Sequence, residues 1–392
     1  MKTTIEGPEA ELTRESVALN CLRDWVEARD FAGYDPYDAL NSPIIAVLSL
    51  GTKWGRIAAI QGMKRCPFNL RPPLLARPGH NPKALGLFLE GYARLFRTGV
   101  CDARGPMIRL LDLLEASRST CCSGHGWGYN FDWQSRVFFV PAGTPSIVCT
   151  AFIGHALLDA WEALREQRFL DLAAPAADFI CQDLNRTYEG ETLCFSYTPL
   201  DTYAVHNANL LGASLLIRLS DVTGRTPLRD TALSALAYSM KFQREDGSWF
   251  YSERVGSRWI DSFHTGFNLE SIRRFLVAGH AVNWWTGYEA GREFFARQFF
   301  HSNGLPKYFH DRAFPVDIHS AAEAITYLSG EVGYTALAGR VLDWTLSNMY
   351  NGAGQFYFQR HRRFVNRIPY MRWSQAWMFR ALTAYAIQRD VR

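Results

Sequence analysis

Apolar residues recur three and four positions apart over long stretches of this 392-residue chain, and β-branched alternation is scarce. The segments NPKALGLFLEGYARLFRTG (81–99), IVCTAFIGHALLDAWEALREQ (147–167), NANLLGASLLIRLSDVTG (207–224) and SAAEAITYLSGEVG (320–333) all carry this spacing. Several run into a Gly just past the last turn, where a left-handed residue closes a helix. The pattern predicts an all-α protein.

A second, longer pattern runs between the helices. A small residue or Gly, an aromatic cluster, a polar or Pro-containing turn and then a helix recur at GYDPYDALNSP (33–43), at GHGWGYNFDWQSR through TPSIV (124–148), and at LCFSYTPLDTYAVHNANLLG (193–212). The sequence continues with GSWFYSERVGSRWIDSFHTGFNLESI (247–272), GLPKYFHDRAFPVDIHSAAEAI (304–325) and GQFYFQRHRRFVNRIPYMRWSQAWMFRAL (354–382). The aromatic anchors Tyr197, Tyr251, Tyr308 and Tyr357 are 54, 57 and 49 residues apart, the length of two helices and two loops. Six copies predict six helical hairpins. Such hairpins bury their apolar faces by closing into an inner and an outer ring, with one domain over residues 1–392. Each aromatic loop then leads into the start of an inner helix, so six distant stretches meet at one mouth, the expected seat of function.

Composition narrows the class. With 48% apolar and 20% charged residues the chain is too apolar for disorder. No window approaches the ~18 uninterrupted apolar residues of a membrane span. The start, MKTTIEGPEAELTRESVALN, lacks the apolar run of a secretory signal, so a cytoplasmic protein with eight reduced cysteines is expected. A net charge of +4 and the lack of a known nucleic-acid module argue against a nucleic-acid partner. Of 42 basic residues only six are Lys, and an Arg surplus fits anionic ligands held by two-point hydrogen bonds. Twelve Trp fit stacking on sugar rings, although large helical cores also consume Trp.

With these repeats the chain resembles the α/α toroids, (α/α)6 double rings that comprise six-hairpin glycosidases, sugar epimerases of similar build, and terpenoid cyclases with protein prenyltransferases. GYDPYDALNSP, GWGYNFDWQSR, TPSIVCTAFIGHALLDAWEA, FSYTPLDTYAVHNANLLGA and WIDSFHTGFNLESI together also resemble a bacterial group associated with exopolysaccharide and capsule synthesis. That second resemblance implies a setting, with polysaccharide-synthesis proteins as partners, rather than a reaction. QREDGSW (243–249) is similar to the QW signature of squalene-type cyclases, where Gln caps backbone groups and Trp braces a repeat junction. No DxDD or DDxxD run accompanies it, so it argues for fold more than for cyclase chemistry.

Several loops carry candidate chemistry. In WIDSFHTGFNLESI, Asp261, His264 and Asn268 share one helix face, and an Asp that polarises a His makes a general base; Asp261 is equally a good N-cap. Trp259 beside them is a candidate sugar contact. PVDIHSAAEAI repeats the scheme with Asp317 and His319, again with capping as the plain alternative. TPLDTYAVHNANLLG offers Asp201, His206, Asn207 and Asn209. GHGWGYNFDWQSR packs Trp127, Tyr129, Asp132, Trp133 and Arg136 between glycines, as a saccharide subsite or as a rigid cap on the ring. Arg372 and Trp373 open the last helix behind a run of arginines that would draw an anionic ligand inward. HExxH, paired CxxC, GxGxxG and GxxxxGK[ST] patterns are absent, so neither a metal nor a nucleotide cofactor is expected.

Two functional classes follow. One is a carbohydrate-active enzyme on an anionic, uronate-containing saccharide. Its chemistry is hydrolysis by a carboxylate pair from Asp132, Asp201, Asp261 and Asp317, or elimination or C5 epimerisation with His264, His206 or Tyr129 as base and Arg136 or Arg372 as stabiliser. The other is a non-catalytic toroid that holds a glycan or an assembly partner, which predicts an aromatic mouth with its Asp residues spent on caps.

Overall fold

The computed structural model describes residues 13–134 and 139–390, and within them the helical period has become a double ring. We number its twelve helices in chain order: α1 (Arg14–Glu27), α2 (Pro82–Arg97), α3 (Arg104–Ala116), α4 (Ile147–Leu164), α5 (Gln167–Ala173) and α6 (His206–Thr223). They continue with α7 (Pro227–Lys241), α8 (Ser262–Val277), α9 (Trp285–Gln298), α10 (Ile318–Ser329), α11 (Thr335–Asn348) and α12 (Trp377–Asp390), the last preceded by a π turn, Met371–Ala376. The even-numbered helices pack side by side in the order α2, α4, α6, α8, α10, α12 and back to α2. Each odd-numbered helix backs the inner helix before it, except that α1 backs α12, so the two ends of the chain close the ring. This is the (α/α)6 toroid.

Inner helices are buried nearly all round, because they face the axis on one side and the outer ring on the other. Among the described residues α4 is the one helix long and apolar enough to cross a membrane, and here 72% of it is buried by its neighbours. Inner-helix starts are capped by Asn81, Ser146, Asp261 and Asp317, whose side chains accept first-turn N–H groups.

Adjacent repeats are tied by one recurring bond. The first N–H of an inner helix donates to a loop carbonyl of the next repeat: Ile147 to Tyr197, His206 to Tyr251, Ser262 to Tyr308, Ile318 to Phe358 and, across the closure, Met371 to Tyr34. The anchor of the sixth repeat is therefore Phe358, one residue beyond the expected Tyr357. On the outer side, Gly247 (φ +86°) and Gly354 (φ +86°) lie against the next outer helix, where an added Cβ would sit 2.3 Å from the Ala290 and Cys21 carbonyl oxygens. Gln243 of the QREDGSW run donates to the Gly247 and Gly287 carbonyls and the Trp249 indole to Ser239, a brace between repeats.

The first repeat departs from expectation. GYDPYDALNSP does not lead straight into an inner helix; helices Pro43–Leu48 and Lys53–Arg65 intervene, and the latter packs on the 38–41 turn and on strand Trp133–Gln134. Short antiparallel ladders stiffen the loops that enter the inner helices, for example Val316 opposite Arg360 and Asp317 opposite Gln359. Deep in the ring Arg380 of α12 bonds Glu90 of α2 at 2.8 Å, Glu270 of α8 at 2.9 Å and Glu323 of α10 at 3.1 Å. One buried cation thus joins four inner helices. All eight cysteines are free.

Candidate active site

First-turn side chains of a helix lean back toward its N-terminus, and here six inner helices present that end to one mouth. The second residue of each inner segment lines a single cavity of about 500 Å³: Lys83, Val148, Asn207, Phe263, His319 and, in the π turn, Arg372. Loop aromatics complete the wall, among them Tyr129, Trp133, Tyr197, Tyr251, Trp259, Tyr308 and Trp373. Trp259 stacks on Tyr251 at 4.5 Å between centroids, and Tyr129 on Phe131 at 5.2 Å. Flat faces around a mixed polar floor suit a saccharide ring.

Two imidazoles face this space. Asp261 caps α8 through Oδ1, while Oδ2 takes the Trp259 indole N–H at 3.0 Å and the His264 Nδ1 at 2.6 Å. A carboxylate only accepts, so the proton sits on Nδ1, and Nε2, which has no protein partner among the described residues, is left as a base toward the cavity. His319 differs. Both its ring nitrogens are buried without a partner, and its ring lies flat on Phe263 at 4.4 Å and close to Trp377 at 4.1 Å. Burial, with Lys83 and Arg372 nearby, holds its pKa well below the ordinary imidazole range, so it is neutral at pH 7. The Phe263 ring touches both imidazoles, at 4.2 and 4.4 Å, so their centres lie within about 9 Å of each other. Beside His264, Asn207, Asp261 and Asn268 line a niche of about 10 Å³ in which the two amide oxygens lack partners.

The carboxylates named from sequence lie elsewhere, each consumed by local donors. Asp132 accepts the Ala142 N–H. Asp201 holds its own loop, accepting from the Tyr197, Thr198 and Tyr203 N–H groups and the Thr198 hydroxyl. Asp317 caps α10 and accepts from the Gln359 amide and the Trp373 indole. None of these three lines the cavity, and among the described residues no Asp or Glu does. His206 points away, to Ser239 and to Glu253 at 3.3 Å, and Asn209 ties Phe195 to Ala235 and Ser239. Trp127 is a core residue whose indole donates to the Leu114 carbonyl. Arg136 lies outside the described residues. Of the named candidates the cavity gathers Tyr129, Trp133, Asn207, Trp259, His264, His319, Arg372 and Trp373, with Asp261 behind His264.

Arg372 reaches the cavity with its fork already filled: Nε and Nη2 bond the two Asp35 oxygens at 2.5 and 2.8 Å. Burial is offset by that pairing, and its pKa is raised. Asp38 holds Arg71 beside it, and burial lifts the Asp38 carboxyl to about 6. Sequence reasoning passed over Lys83. Its signal was available, since it is one of six lysines, set in the first turn of the helix before the apolar run ALGLFL, at the repeat position that also holds His319 and Arg372.

No protein-family model matches the chain, and no curated protein matches its sequence. Solved structures do share its fold. A cellobiose 2-epimerase from Bacillus thermoamylovorans superposes with TM-score 0.61 at 12% identity, over 79% of this chain and 88% of that one. A GH76 alpha-mannanase from Bacteroides thetaiotaomicron gives 0.60 at 12% identity, over 79% and 87%. The Lin0763 protein of Listeria innocua gives 0.63 at 12% identity, over 97% and 99%.

Proposed function

We propose that this toroid is a carbohydrate-processing enzyme that moves a proton at a sugar carbon next to a carbonyl or carboxyl group, as in epimerisation or isomerisation. The observation that carries the reading is a cavity lined by two imidazoles with, among the described residues, no carboxylate in its wall. His264, oriented by Asp261, takes the proton at Nε2 and returns it as the imidazolium; His319, a neutral imidazole lining the same cavity, serves as a hydrogen-bond donor to the sugar oxygen on which charge develops. The aromatic wall stacks the sugar and excludes water. Hydrolysis by a carboxylate pair has less support, because Asp132, Asp201, Asp261 and Asp317 are engaged with caps and loop donors. The likeness in fold to an epimerase and a mannanase is compatible with the class of substrate.

An anionic substrate, a role in bacterial polysaccharide metabolism and a cytoplasmic site of action extend the same proposal. Arg372 contributes to anion binding with whatever edge Asp35 leaves open. A second reading, a glycan-holding scaffold, draws on one observation, an aromatic mouth whose named Asp residues are all spent.

The test is incubation in D2O with neutral reducing disaccharides and with uronate-containing oligosaccharides. Deuterium at carbon without cleavage is the expected result. Gain of one water, with new reducing ends, means hydrolysis and overturns the proposal, as does ultraviolet absorbance from an elimination product. Binding with no isotope uptake across the panel favours the scaffold.

A further inference from the structure

We propose that Lys83 is a carbonyl-reactive amine that captures an open-chain aldose as an imine, in the same cavity that His264 lines. The ligand class rests on the function proposed above; the reactivity of the amine does not. Lys83 is 3% exposed, and its Nζ borders the cavity over the Phe152 ring at 4.3 Å, with Trp377 at 5.2 Å and Phe267 at 5.5 Å. Among the described residues no carboxylate lies within ion-pair distance of it and no acceptor is hydrogen-bonded to it. A buried lysine ordinarily has a partner, because an unpaired ammonium is costly to desolvate.

The three ring faces favour the Lys83 ammonium, and no bonded counter-charge joins them. Its own helix start contributes the positive end of the dipole. Arg372 in the π turn and Arg380 on α12 are cationic, the latter shared among three glutamates. Cys149 on α4 and Glu323 on α10 oppose this without bonding the amine, and His319 on α10 is neutral. Desolvation comes first among these causes, and the Lys83 pKa falls to about 7. A large share of the amine therefore carries a free lone pair at neutral pH, facing a space that His264 also lines.

The step balances without a cofactor. The Nζ pair adds to the aldehyde carbon, and the carbonyl π pair moves to oxygen, which takes a proton. The nitrogen gives up both its protons over the two steps, the oxygen gains two and leaves the carbinolamine as water, and C=N replaces C=O. Protonated on nitrogen, the imine withdraws electrons from the adjacent carbon and makes its hydrogen easier for His264 to remove. Water reverses the capture and frees the product. Arg372, held by Asp35, is the only other cation lining the cavity among the described residues.

Glyceraldehyde with sodium cyanoborohydride, followed by peptide mass mapping, tests the site in the intact protein. Five other lysines are internal controls. At pH 7 the Lys83 peptide is expected to be labelled at least about tenfold faster than any other, given the larger share of free amine. Labelling should reach half its maximum near pH 7. Lys83→Met and Lys83→Arg should remove that adduct, and a reducing disaccharide should slow it. Labelling spread evenly over the lysines, or Lys83 left unmodified, overturns the proposal on the wild type alone, whatever the variants do. Isotope exchange without a Lys83 adduct refutes the imine and leaves the two-imidazole reading intact. A Lys83 adduct without exchange on any sugar sustains the amine site and refutes the epimerase reading.

Discussion

Replacing Asp261 by Asn exchanges one oxygen for an NH2 group and should disable the site. Asn retains an oxygen for the His264 backbone N–H and is as good an N-cap as Asp, so α8 keeps its start. The other oxygen becomes an NH2 group, which meets two donors, the Trp259 indole and His264 Nδ1. The imidazole can answer by moving its proton to Nε2 and accepting at Nδ1. The indole cannot, and its N–H loses a partner, a cost of about 1 kcal/mol at this half-buried position. The catalytic consequence is larger, because the nitrogen facing the cavity now carries the proton and no longer acts as base. Misplacing a tautomer in this way lowers turnover by about 100- to 10,000-fold. KM should stay within about threefold, since Asp261 does not line the main cavity. Long-range 15N NMR of the labelled protein reads the tautomer directly, and deuterium uptake into sugar reads the rate. A variant that keeps the Nδ1-protonated ring, or exchanges within about threefold of wild type, refutes the reasoning.

Three further substitutions separate chemistry from architecture. His319→Phe keeps the aromatic contacts and removes two unpartnered nitrogens, so exchange should fall about 100-fold or more while stability in urea rises by about 1 kcal/mol. The depressed native pKa of His319 means that the unfolded chain binds its proton first as pH falls. Wild-type stability should therefore drop below about pH 6.5, by up to ~1.4 kcal/mol per pH unit for this residue, and the variant should lose that part of the slope. Asp201→Asn removes acceptors that hold the 197–203 loop and should cost about 1–3 kcal/mol, with far less effect on exchange than His319→Phe; a loss of activity without loss of stability would return Asp201 to the chemistry. Arg380→Met leaves Glu90, Glu270 and Glu323 buried without their shared cation and should cost about 3–5 kcal/mol at pH 7, less in acid as the carboxyls protonate. Equal losses at pH 7 and pH 5 would contradict that account.

Much of the architecture was legible because it is local and repeated. Helices follow from spacing, their starts from Asn81, Ser146, Asp261 and Asp317, and the number of hairpins from the recurring aromatic loop. Placement of Tyr357 slipped by one because Tyr357 and Phe358 are adjacent aromatics, and only the bond from Ile318 distinguishes them. The helices at Pro43–Leu48 and Lys53–Arg65 were missed because the first repeat was read as if it had the length of the others.

The chain alone determined six helical hairpins, each led by a polar or aromatic loop; regular hairpins also stack as open solenoids, and the packing of α12 on α2 closes these into a ring. The chain also determined which residue types those loops would carry. Tertiary structure decided which of them remain chemically free, because a hydrogen-bonding group is available only if nothing nearer claims it. Asp201 and Asp317 are claimed by their own loop or cap and by partners folded against it, and Arg372 by an aspartate 337 residues away. Lys83, His264 Nε2 and His319 are left unbonded because, among the described residues, no donor or carboxylate from the facing helices reaches them, a fact of three-dimensional proximity that no spacing along the chain records.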